Sequence, residues 1–143
     1  MGFSAKTEYG LVALLELAAL YGSDALLQTG EIGRRHAIPE RYLEQMLTSL
    51  RKAGFLRSIR GPRGGFALAR PPEQITVAEV VACLEGQAAA ERQGQRDHPE
   101  FLVLAALDQK VEQARAAVLS ATTLAQLLRE REALRNPLPM FYI

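Results

Sequence analysis

The 143-residue chain is 48% hydrophobic and 23% charged, enough apolar material for one compact domain with an appendage and too little length for two large ones. Its 11 Gly and 7 Pro sit at a few punctuation points and no window repeats another, which excludes a collagen-like, solenoid or disordered chain. The net charge of +1 hides a division: residues 1–70 carry ten Lys/Arg against six Asp/Glu, residues 71–143 carry seven against ten, and the six basic residues between Arg51 and Arg70 stand with no acidic one. That density suits a polyanion.

From Ser4 to Tyr21, the residues Tyr9, Leu11, Val12, Leu14, Leu15, Leu17, Ala18 and Leu20 line a broad helical face. They predict a first helix with Ser4 as N-cap and Gly22 as its stop. Thr29 is the expected cap of a second, short helix, with Ile32 inward and an end near His36. Pro39 should open a third helix over about 39–53, because its missing N–H costs nothing at the first helical position. There Leu43, Met46, Leu47 and Leu50 recur at i, i+3, i+4 and i+7 as one buried stripe. At about 100° per residue, Arg41, Gln45, Thr48 and Lys52 gather on the opposite face. Such a face is equipped for a major groove: Arg pairs with guanine, Gln with adenine, Thr meets a polar edge or a methyl, and Lys meets phosphate.

Gly54 ends that helix, and Leu56 to Arg60 and Phe66 to Arg70 read as two short strands around Gly61-Pro62-Arg63-Gly64-Gly65. The result is an arginine-tipped hairpin able to approach a narrow groove. Helix, short helix, reading helix and basic hairpin, in that order, predict a mainly α protein whose residues 1–86 form a winged helix-turn-helix DNA-binding domain. Pro71 and Pro72 close the hairpin, and Thr76 should cap a helix running to about Glu85, with Ile75, Val77, Val80, Val81 and Leu84 inward. Residues 87–96 read as a polar loop. Asp97, with Glu100 three residues on, resembles a capping box opening a long helix. Along it Leu104, Leu107, Val111, Ala114 and Val118 alternate steps of three and four, a seam suited to a second long helix. Residues 97–143 are therefore expected to supply the long C-terminal dimerisation helix and a tail. Thr122 or Thr123 starts a further short helix to about Arg135, and the apolar tail with Phe141 and Tyr142 reads as extended.

Cys83 is the single cysteine, so no intramolecular disulfide is possible, and no Cys or His lies near it for a zinc site. It falls beside Val80 and Leu84 and reads as a small buried hydrophobe. His36 is expected as a helix-end cap or phosphate contact and His98 as a surface residue, with neither binding metal. No nucleophile-base motif is present, and the glycine-rich turn joins two strands rather than a strand to a helix, so no catalytic residues are assigned and the chain is not read as an enzyme. Lys6 and Glu8 interrupt the N-terminus, and no uncharged apolar run reaches the roughly 18 residues of a membrane span. The chain is expected in the cytoplasm, off the membrane.

The segments Tyr42-Leu43-Glu44-Gln45, Leu50-Arg51-Lys52-Ala53-Gly54 and Arg60-Gly61-Pro62-Arg63-Gly64-Gly65-Phe66 are preceded by Ser4-Ala5-Lys6-Thr7-Glu8-Tyr9 and followed by Ile75-Thr76-Val77. Together they resemble the Rrf-two-type bacterial repressors, the IscR-, NsrR- and CymR-like regulators, closely over residues 1–86 and loosely beyond. The resemblance implies a homodimer crossed through its long helices, holding double-stranded DNA at a pseudopalindromic operator. By matching position it implies base reading by Arg41, Tyr42, Glu44 and Gln45, and a wing contact through Arg60, Gly61 and Arg63. Cluster-binding members of the family place three cysteines in the loop before the long helix, and residues 87–96 contain none. An iron-sulfur cofactor is therefore not expected, with Glu8 and Cys83 the only potential ligands of an atypical site. Clusterless members regulated by a partner protein are the nearer analogy. Two other readings stay open at the level of sequence: a winged helix serving only protein interaction, and a sensor with that atypical ligand set.

Overall fold

The computed structural model describes residues 2–86 and 97–136. The expected loop at 87–96 and most of the apolar tail, 137–143, lie outside the described residues. The first helix, α1 (Ala5–Ala18), starts where Ser4 Oγ accepts the Thr7 N–H at 3.2 Å, satisfying a donor that the first turn leaves free. It ends four residues before Gly22, whose φ of 91° turns the chain. Next come α2 (Thr29–His36) and α3 (Glu40–Lys52), joined by a turn in which Ala37 takes the left-handed conformation at φ 54°. Thr29 is the first residue of α2 rather than its cap; Gln28 occupies the cap position and makes no side-chain capping bond. Pro39 likewise stands one place outside α3, as its N-cap.

The predicted stripe on α3 is buried in full, with Leu43, Met46, Leu47 and Leu50 all 1% exposed or less. At about 1.5–3 kcal/mol per buried aliphatic side chain, these four residues alone commit α3 to one orientation against α1 and α4. The hairpin follows as β1 (Leu56–Ile59) and β2 (Gly65–Leu68), antiparallel, with Leu56 opposite Leu68 and Ile59 opposite Gly65. A short 3-10 turn, Pro72–Gln74, leads to α4 (Val77–Glu85). Here the capping box is complete: Thr76 Oγ1 accepts the Glu79 N–H, and the Glu79 carboxylate accepts the Thr76 N–H at 2.9 Å. Helices α1 and α4 meet across Gly10, where any Cβ would collide with Leu84.

The long helix α5 (Pro99–Ala121) runs 23 residues, about 35 Å at 1.5 Å each. The expected Asp97–Glu100 box does not form. Pro99 holds the first helical position, so the cap falls on His98, one residue too late for that spacing. Thr123 caps α6 (Leu124–Arg135) by accepting the Gln126 N–H at 3.1 Å. At the α5–α6 junction the chain returns to the winged domain: the Val77 N–H donates to Thr122 O at 2.8 Å and the Leu124 N–H to Ile75 O at 2.9 Å. Leu124 is fully buried, and Leu119, Leu127 and Leu128 pack on the cluster formed by α1, α3 and α4. The core built from residues 1–86 is thus completed from residues 119–128.

Candidate nucleic-acid interface

The buried stripe of α3 fixes its opposite face toward solvent. Arg41, Glu44, Gln45 and Lys52 are exposed and Thr48 is half-buried. Tyr42 is 48% exposed, with the Arg41 guanidinium 5.9 Å from its ring centroid, so it stands beside the outward stripe rather than beneath the helix. Tyr42 and Gln45 also line a shallow cleft with Lys6, Tyr9 and Met46. Arg60, Gly61 and Arg63 are exposed on the hairpin turn. Gly61, at φ 113°, and Gly64, where a Cβ would overlap the Ile59 carbonyl, make that turn possible. The Gly64 N–H closes it by donating to Gly61 O at 2.9 Å.

Among the described residues no carboxylate forms an ion pair with Arg41, Lys52, Arg60 or Arg63. No described residue occupies the donors that an anionic ligand would take. Two other members of the basic run do different work. Arg70 donates to Gln74 O at 2.8 Å, pairs with Glu79 at 3.3 Å and covers the Phe55 ring. Arg57 borders a cleft with Leu17, Tyr21 and Gly22 at the end of α1. His36, expected at a cap or a phosphate, is instead hydrogen-bonded through Nε2 to Glu16 at 2.8 Å. Linear sequence gave no hint of that pairing, nor of Gln28, whose side chain reaches the hairpin turn.

A scan against family models matches residues 3–130 to the family Rrf2, described as an iron-dependent transcriptional regulator. The chain belongs to the Rrf2 family. It is 32% identical to CymR of Bacillus subtilis over 143 residues, covering all of both chains. It is 42% identical to IscR of Cereibacter sphaeroides over 86 residues, a match that takes in 59% of this chain and only 56% of that one. Among solved structures, T. potens IscR superposes with a TM-score of 0.81 at 31% identity, covering 100% of this chain and 97% of the other. Rrf2 proteins are transcriptional regulators and not enzymes, and the long helix and two-stranded wing match the IscR architecture.

The iron in the family's description finds a poor donor set in this Rrf2 chain. Its one thiol, Cys83, is half-buried and 3.8 Å from Ser49 O, a carbonyl to which it donates. Burial pushes that thiol up from its ordinary value, and nearby Lys6 only partly opposes the shift, so the thiolate required of an iron ligand is disfavoured. Among the described residues no three His, Cys, Asp or Glu side chains converge, and residues 87–96 supply neither Cys nor His. A thiolate-held cluster of the family's kind does not fit these residues. Among the described residues no helix is long and apolar enough to cross a membrane.

Proposed function

We propose that this chain is a sequence-specific repressor that binds duplex DNA as a homodimer on a pseudopalindromic operator, with α3 in the major groove and the wing in the flanking minor groove. The observation that carries this reading is the outward stripe of α3, its cations without an ion pair among the described residues, continued by Arg60 and Arg63 on the hairpin. In this assignment Arg41 and Gln45 read base edges, Tyr42, Glu44 and Thr48 border them, and Lys52 meets phosphate. A surface used only for protein contact would more often present an aliphatic or aromatic anchor at the centre of such a stripe.

The test is selection of bound duplexes from a random pool, followed by footprinting. Two protected half-sites one helical turn apart, about 34 Å, are expected. Arg41→Ala and Gln45→Ala should relax the selected sequence, since each base-edge pair discriminates by about 1–3 kcal/mol, whereas Lys52→Ala should weaken all sequences alike. A single half-site, or an unchanged preference in both Arg41→Ala and Gln45→Ala, would overturn the assignment.

Regulation, in the same proposal, does not run through an iron-sulfur cluster. The poor donor set around Cys83 supports this, and in the cluster's place a partner protein or small molecule sets the spacing of the two winged domains. Anaerobic purification with iron and sulfide assays should return substoichiometric metal, and operator binding should survive chelation. A stoichiometric cluster whose removal abolishes binding would reverse this part of the reading.

A further inference from the structure

Gln28 occupies the cap position of α2, where the side chain of an Asn, Asp, Ser or Thr would ordinarily fold back onto the first turn of the helix. It makes no such bond. Its Nε2 instead donates to Pro62 O at 3.1 Å and to Gly64 O at 3.4 Å, two carbonyls of the turn that carries Arg60 and Arg63. One amide nitrogen thus reaches two carbonyls of the wing turn. Just before it, Leu27 exchanges backbone hydrogen bonds with Phe66, at 3.1 and 2.8 Å, as a one-residue extension of the hairpin. Leu27 fixes the turn-proximal end of β2 and Gln28 fixes the turn itself, each from the residues immediately before the helix-turn-helix.

We propose that Gln28 is a positioning residue that sets the wing tip relative to α3. The inference rests on the reading that the wing enters DNA. An exposed turn held by the hairpin ladder alone samples many tip positions, and each must be given up when Arg60 seats in a groove while α3 occupies its neighbour. Two hydrogen bonds from the cap of α2 remove part of that freedom before DNA arrives. Gln28 is itself exposed, so water competes for the same carbonyls. The expected effect on DNA affinity is accordingly moderate.

Gln28→Met keeps the length of the side chain and removes its donors. On a duplex selected by the wild-type chain from a random pool, affinity should fall roughly three- to tenfold, while the unfolding midpoint drops by no more than a few degrees. The amides of Gly61 and Gly64 should show larger-amplitude motion by 15N relaxation in the free protein. In an Arg60→Ala background the additional loss from Gln28→Met should nearly vanish, whereas in a Lys52→Ala background it should persist in full. Equal losses in both backgrounds, or no loss at all, would overturn the proposal while leaving the wing contact standing. An Arg60→Ala chain with wild-type affinity would remove the wing contact itself, and the role of Gln28 with it.

Discussion

Glu16 is 6% exposed, and a carboxylate so placed survives only if its charge is answered. Two elements answer it: Arg35 at 2.9 Å and His36 at 2.8 Å from α2, and Arg131 at 3.8 Å and Arg135 at 3.7 Å from α6. Burial, the largest single influence, pushes its carboxyl upward. The hydrogen bond from His36 and the charges of His36, Arg35 and Arg131 together outweigh it and hold the group below its ordinary value of 4.5. A carboxyl depressed in the folded state contributes stability that is complete above the ordinary value and is lost as pH falls through the lower, folded one. Glu16→Gln should therefore cost about 1–3 kcal/mol near neutrality, and chemical melts of variant and wild type should converge as the pH is taken below 4.5. A constant difference from pH 7 to pH 3 would show that packing, and not charge, is what Glu16 supplies. Sequence could not have shown this hub. Glu16 sits between apolar neighbours on a helix, and its partners come from 19 to 119 residues away.

Helix α3 was legible because a 3.6-residue period places three leucines and one methionine inward and thereby points Arg41, Gln45 and Lys52 outward, a consequence that needs no tertiary information. Helix starts were legible only in part. Ser4, Thr76 and Thr123 cap as expected, while Thr29 and Asp97 do not. At α5 a proline at the first helical position dictates the cap, and at α2 a tertiary contact draws the cap side chain to the wing. The hairpin was readable from its glycines, although strand pairing stops at Ile59 and Gly65. Gly64→Ala probes the turn directly. Its Cβ would meet the Ile59 backbone, which cannot swing aside as a side-chain end could. A loss of about 1–3 kcal/mol in stability is expected, with a drop in DNA affinity exceeding that of Gln28→Met. A variant that melts and binds as the wild type would mean that the turn has a second conformation of similar energy.

Across the whole molecule the long helix is used on two faces. Glu112, Arg115, Ala116 and Leu119 line the cleft against α4 and the N-terminal segment, and Arg115 fastens that side by pairing with Glu85 at 3.6 Å and donating to Gly2 O at 3.4 Å. Rotated from this face by roughly 110° at 100° per residue, Leu104, Leu107, Val111 and Val118 stand 55–65% exposed, and Ala114 beside them is exposed as well. No residue of α5 is buried in the protomer. An apolar seam of that length is costly to leave in water and matches the face a partner helix would cover. Because α5 is tied back to α4 through Thr122 and Val77, a helix pair formed on the seam would also set the distance between the two α3 helices. Leu107→Lys with Val111→Lys should consequently leave the protomer folded, since neither side chain belongs to its core, yet give a monomer in sedimentation at micromolar concentration. Affinity for a two-half-site duplex should fall by about 10²–10⁴, the gain that linking two modules ordinarily confers, while binding to an isolated half-site should stay within about twofold of wild type. A double variant that remained dimeric would move the subunit contact off this face of α5.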